Sequence, residues 1–118
     1  MKILIVDDDG LIVDLLQQYL KKNNYDIDTA FDGKHGLELL KERSYDIVFL
    51  DQEMPELTGL EIIEHVKQNN IKVKTVILSG YEEINEKFCK AVGADAYLRK
   101  PVELEEIGKV INKLQGST

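Results

Sequence analysis

The sequence is 118 residues long, close to the commonest size of one domain. Its 43% apolar and 31% charged residues suit a soluble fold with a single core. A net charge of −7, from 22 acidic and 15 basic residues with no basic cluster beyond Lys21–Lys22, argues against a surface that grips nucleic acid. The longest apolar runs, such as Ile3–Val6 and Ile47–Leu50, are four residues, too short to span a bilayer, and no secretory leader pattern is visible. The lone Cys89 excludes an internal disulfide, so a reducing cytoplasm is the expected location.

Taken in chain order, two periodicities alternate. Lys2–Val6 is an apolar run expected to form a strand. Gly10–Lys22 carries Ile12, Leu15, Leu16, Tyr19 and Leu20 at helical spacing. Tyr25–Ala30 alternates as a strand, and Lys34–Glu42 is a short helix through Leu37, Leu39 and Leu40. Asp46–Leu50 is a strand of the fully buried type. Thr58-Gly59-Leu60-Glu61 is a capping box opening a helix through Ile63 and Val66. Val73–Leu78 is the fourth strand, Glu83–Val92 the fourth helix and Asp95–Arg99 a weaker fifth strand. Leu104, Ile107, Val110, Ile111 and Leu114 form the cleanest amphipathic stripe, and residues 115–118 are expected to be a loose tail. Five such strand-then-helix units imply one α/β domain over residues 1–118, a parallel sheet with helices on both faces and right-handed crossovers.

Ligands of such sheets bind at the carboxyl ends of the strands. Asp7-Asp8-Asp9 follow the first strand, Asp51 the third, Ser79-Gly80 the fourth and Lys100-Pro101 the fifth. Clustered carboxylates without sulfur or imidazole are hard-oxygen ligands, as Mg²⁺ prefers. A carboxylate can also act as a nucleophile toward a phosphoryl group, with an ammonium and a hydroxyl stabilising the transferred oxygens.

The segments Leu4–Asp9, Phe49–Pro55 with Gly59, Leu78–Gly80 and Gly93–Pro101 resemble those of response-regulator receiver domains of two-component systems, and the resemblance runs from Lys2 to Leu114. It implies a flavodoxin-like doubly wound sheet of order 2-1-3-4-5, an order that the family's chemotaxis member exemplifies. It implies that Asp51 accepts a phosphoryl group from a phosphohistidine on a sensor histidine kinase or phosphotransfer protein. Mg²⁺ would be held by Asp8, Asp51 and the backbone carbonyl of Glu53, with Asp7 helping. Lys100 would pair with the phosphoryl oxygens and Ser79 would move toward them. Tyr97 would change rotamer with Ser79 and remodel the face of the fourth helix, fifth strand and fifth helix. The Lys100–Pro101 peptide would be cis. Dimerisation on phosphorylation, an output domain after Leu114 or a separate effector protein would all be consistent, and neither a membrane nor nucleic acid is an expected partner of this domain.

Several residues carry competing readings. Asp9 is better read as a helix N-cap than as a ligand. Ser79-Gly80-Tyr81-Glu82 also fits a capping box, a role that competes with phosphoryl contact. Tyr97 could simply pack. His35 and His65 fall on helices and are not expected to donate phosphoryl groups, and Cys89 is expected to be inert. Leu11 and Val13 widen the apolar stripe of the first helix, so part of it is expected to dock a helical donor protein. Glu53 and Tyr81 occupy positions that vary in the family and bear on phosphoaspartate lifetime.

Rival functions fit less well. An aspartyl-nucleophile phosphohydrolase would want a second Asp where Glu53 stands, together with a substrate cap. A flavodoxin-like cofactor binder would want a Gly/Ser/Thr-rich loop where Asp7-Asp8-Asp9 stand. A non-phosphorylatable interaction domain would be expected to lack one of the site residues. The domain is therefore read as a switch that catalyses only its own phosphotransfer and dephosphorylation.

Overall fold

The computed structural model describes residues 1–116. Five strands, β1 (Lys2–Val6), β2 (Asp26–Ala30), β3 (Ile47–Asp51), β4 (Lys74–Ser79) and β5 (Ala96–Arg99), alternate with five helices. The helices are α1 (Gly10–Lys21), α2 (Gly33–Glu42), α3 (Gly59–Gln68), α4 (Glu86–Val92) and α5 (Leu104–Gln115). The strands form one parallel sheet in the order β2-β1-β3-β4-β5, as the family resemblance implied.

The apolar runs of β1 and β3 have a direct cause. Successive side chains of a strand point to opposite faces, and helices cover both faces here, so every position must be apolar. Leu4, Val6, Val48 and Leu50 enter the core shared with α2, α3 and α4. Ile3, Ile5, Ile47 and Phe49 enter the core shared with α1 and α5. Phe49 is fully buried, and truncating such a residue to Ala typically costs about 3–5 kcal/mol.

Polar side chains set the helix starts. Asp9 accepts from the Leu11 N–H and Asp32 from the His35 N–H. Thr58 and Glu61 close the expected capping box, at 3.2 and 2.9 Å. At the other end of α4, Gly93 has φ +123°, a conformation that glycine adopts without a Cβ clash.

Two expectations about element ends are corrected. The fourth helix starts at Glu86 rather than Glu83, because Asn85 is its N-cap and accepts from the Phe88 N–H at 2.8 Å. Residues 81–84 instead form a turn closed by Ile84 N–H to Tyr81 O. Gln115, assigned to the tail, completes α5; residues 117–118 lie outside the described residues. No helix among the described residues is long and apolar enough to cross a membrane.

Candidate functional site

Main-chain bonds past the strand ends fix the site. The Asp7 N–H donates to Ala30 O (3.1 Å), the Gln52 N–H to Leu78 O (2.9 Å) and the Lys100 N–H to Ser79 O (2.9 Å). These bonds hold Asp7, Asp51, Ser79 and Lys100 at one end of the sheet before any side chain is considered. Against Asp51, α3 has no spare room. A Cβ on Gly59 would lie 2.8 Å from the Asp51 carbonyl oxygen, so the first turn of that helix can sit there only because residue 59 is glycine.

The Lys100 ammonium lies 3.0 Å from Asp51 Oδ1 and 3.3 Å from Asp7 Oδ2. Asp7 and Asp51 are both buried, whereas Asp8 is exposed. Asp7 Oδ1 accepts from the Asp9 N–H, and Asp51 Oδ1 from the Glu53 N–H. Both Asp51 bonds therefore converge on Oδ1, and none among the described residues engages Oδ2. Burial, with the Asp7 charge adding to it, pushes the Asp51 carboxyl up to about 7, against the opposing pull of Lys100 and the Glu53 N–H. Burial acts to lower Lys100, but its hydrogen bond to Asp51 and the Asp7 and Asp51 charges outweigh that, and its net shift is upward.

This carboxylate cluster suits a hard cation. Oxygens of Asp7, Asp8 and Asp51 all lie within 4.8 Å of one another. Three carboxylates with a single ammonium among them are under-neutralised, and a divalent ion with oxygen ligands relieves that excess. The same lack of compensation raises the affinity of Asp51 for a proton.

The cis Lys100–Pro101 peptide is present as expected. Tyr97 packs against the core beside α2, α3 and α4, and its hydroxyl is buried without a hydrogen-bond partner among the described residues. Such an unmet group typically costs about 1–3 kcal/mol. Ser79 does not cap α4, so that reading is corrected. Its hydroxyl donates to Glu53 Oε2 at 2.6 Å and accepts from the Tyr81 N–H at 3.2 Å.

The expected docking surface is corrected at one residue. Val13 is fully buried, because it faces the core between α1 and the sheet, and it offers nothing to a partner. Leu11 is 71% exposed and Leu15, in the same apolar stripe, is 52% exposed. Leu15 helps to line an apolar groove of about 470 Å³ with Ile12, Pro101, Val102 and Leu104, directly beside Lys100.

Sequence reasoning gave Glu53 a backbone role and a bearing on phosphoaspartate lifetime, but missed the contacts of its carboxylate. Its Oε1 accepts from the Gly80 N–H at 3.0 Å while Oε2 holds Ser79. A readable signal existed. The parallel register pairs Asp51 with Leu78, so an acid two residues past Asp51 lies beside Ser79.

Comparison with known proteins agrees with this arrangement. The family model described as "Response regulator receiver domain" matches residues 3–112. This chain belongs to that family. QseB, a transcriptional regulatory protein of Haemophilus influenzae, is 37% identical over 97% of this chain and 52% of its own length. The chain spans about half the length of the curated relatives it matches. A Francisella response-regulator receiver domain superimposes with a TM-score of 0.92 at 32% identity, covering 98% of this receiver and 97% of the other. TrrA of Thermotoga maritima, solved in complex with Mg²⁺ and BeF, gives 0.86 at 33% identity over 96% of this receiver and 97% of its own chain.

Proposed function

We propose that this receiver is a phosphorylation-dependent switch in which Asp51 takes a phosphoryl group from a phosphohistidine of a sensor kinase or phosphotransfer protein. The observation that carries the reading is the asymmetry of Asp51. Lys100 and the Glu53 N–H hold Oδ1, while Oδ2 is left without a hydrogen bond. Asp51 Oδ2 attacks phosphorus as the P–N bond to the donor imidazole breaks; an acyl phosphate forms and the imidazole leaves with the electron pair. Lys100, already between Asp7 and Asp51, accompanies the transferred oxygens and offsets their charge. Asp7, Asp8, Asp51 and the Glu53 carbonyl would hold Mg²⁺, which when bound supplies further neutralisation of the phosphoryl oxygens. TrrA, which was solved with Mg²⁺ and BeF, supports that ligand class.

The donor docks on the apolar surface of Leu11 and Leu15 beside Lys100, where a helix of the partner can lie over the groove. The signal leaves through the α4-β5-α5 face, as Ser79 and Tyr97 rearrange, toward an output domain, an effector or a second copy of the domain. The phosphohydrolase reading is disfavoured because the Glu53 carboxylate, at the position for an acid/base, is engaged by Ser79 and Gly80.

Incubation with acetyl phosphate and Mg²⁺, followed by intact-mass measurement, tests the core of the reading. A phosphoryl adduct is expected on the parent protein and absent from Asp51→Asn. Persistence of the adduct in that variant would move the acceptor elsewhere. Leu15→Asp is expected to slow transfer from a phosphohistidine donor at least tenfold more than transfer from acetyl phosphate; equal slowing would remove the docking surface.

A further inference from the structure

We infer that the Glu53 carboxylate is an internal stand-in for the phosphoryl group, holding the β4–α4 junction in its resting arrangement until Asp51 is phosphorylated. The inference rests on the reading of Asp51 as phosphoacceptor and adds a positioning residue to it.

Glu53 touches both sides of the site. Its main-chain N–H donates to Asp51 Oδ1 at 3.2 Å, and its carboxylate spans the gap to β4. There Oε2 accepts from the Ser79 hydroxyl at 2.6 Å and Oε1 from the Gly80 N–H at 3.0 Å. A hydroxyl and an adjacent main-chain N–H are the donors that stabilise a developing oxyanion. Here one carboxylate occupies both, through charge-assisted bonds of the stronger kind. Ser79 has no solvent exposure, so without Glu53 its hydroxyl proton would have to find another acceptor inside the protein.

The consequence is competition. A phosphoryl group on Asp51 brings anionic oxygens to the site and needs the same hydroxyl. The two anions repel each other across a partly buried space, and the hydroxyl cannot donate to both. Phosphorylation therefore has to displace the carboxylate. Glu53 itself lines a cavity of about 390 Å³ with Met54, Thr58, Tyr81 and Ile84, which gives it room to withdraw. The Tyr81 N–H, which donates to Ser79 Oγ at 3.2 Å, carries the movement of that oxygen into the loop before α4. Glu53 thus sets how far the resting equilibrium lies from the switched arrangement.

The test measures binding of beryllofluoride, a phosphoryl mimic, in the presence of Mg²⁺ to the whole domain, followed by ¹⁵N NMR. Glu53→Gln and Glu53→Ala are expected to bind it at least about tenfold tighter than the parent, the scale of one charge-assisted hydrogen bond. In the unphosphorylated, metal-free protein the Gly80 amide proton is expected to move upfield in both variants. Removing a negative charge would favour an anion even without a lock, so the cycle with Ser79→Ala discriminates. The gain from Glu53→Gln should fall to about a third or less in the Ser79→Ala background. A gain that persists in full there, or equal or weaker binding by both Glu53 variants, overturns the lock while leaving Asp51 as acceptor. Absence of beryllofluoride binding by the parent protein overturns the acceptor reading, and the lock with it.

Discussion

Two carboxylates of this protein, Asp28 and Asp51, sit in opposite electrostatic conditions. Asp28, on edge strand β2, accepts from the Tyr45 hydroxyl at 2.6 Å and from Arg43 at 3.1 Å, with Lys2 at 3.7 Å. The Tyr45 hydrogen bond first, then Arg43 and Lys2, hold it below the usual carboxylate range despite some burial. Burial and Asp28 in turn raise the Tyr45 hydroxyl. Asp51 has one ammonium, one N–H and a second buried carboxylate for company, and it is pushed the other way. The first arrangement closes a surface; the second leaves an excess of negative charge that a cation or a proton relieves. Perturbed groups of the second kind mark functional sites.

The comparison can be broken most strongly at Asp51. Between the usual 3.8 and about 7, the native protein binds a proton that the unfolded chain lacks, so stability falls as pH rises through that window. Asp51→Asn is expected to gain on the order of 2–4 kcal/mol above pH 7 in metal-free buffer, read by urea unfolding. A variant no more stable than the parent would mean that Lys100 fully compensates the burial. Asp28→Asn works in the opposite sense. Its folded-state pKa is lowered, so its contribution is present above about pH 4 and disappears as pH falls through the folded value. A loss of about 1–2 kcal/mol at neutral pH, vanishing in acid, is expected from urea unfolding at several pH values.

Asp7→Asn sharpens the contrast within the site. Removing the neighbouring charge should move the Asp51 titration down toward the usual range, read by ¹³C carboxyl NMR, and should weaken Mg²⁺ binding at least tenfold by calorimetry. An unmoved Asp51 titration would leave burial as the sole cause. The smallest effect concerns the backbone. Asn24 and Asn70 adopt positive φ, which Asn tolerates, but Glu56, five residues beyond Asp51, also does so at φ 70°. Glu56→Asn is expected to gain about 0.5–1 kcal/mol in thermal unfolding. No gain would indicate that the Glu56 side chain offsets its own strain.

The strands and the convergence of Asp7, Asp51, Ser79 and Lys100 were legible because both follow from short-range pattern and strand order. Ile47–Leu50 can only be a strand covered on both faces, and the residue after it must lie at the sheet's carboxyl edge. Other features were not legible, for physical reasons. Val13 and Leu15 are both apolar positions of one helix, and the stripe is too wide for composition to say which is covered. The start of α4 depended on whether Ser79 or Asn85 capped it. That was settled by a competing acceptor, Glu53, in the loop after β3, which only the register between strands brings beside Ser79.

The Lys100–Asp7 contact joins residues 93 positions apart, and the four strands β2, β3, β4 and β5 lie between them. The cation of the cluster is therefore in place only once β5 has joined the sheet. A chain truncated before β5, or one with its strands out of order, has an Asp51 but no ammonium beside it. An unfinished or misassembled copy therefore lacks the counterion that Lys100 supplies to Asp7 and Asp51.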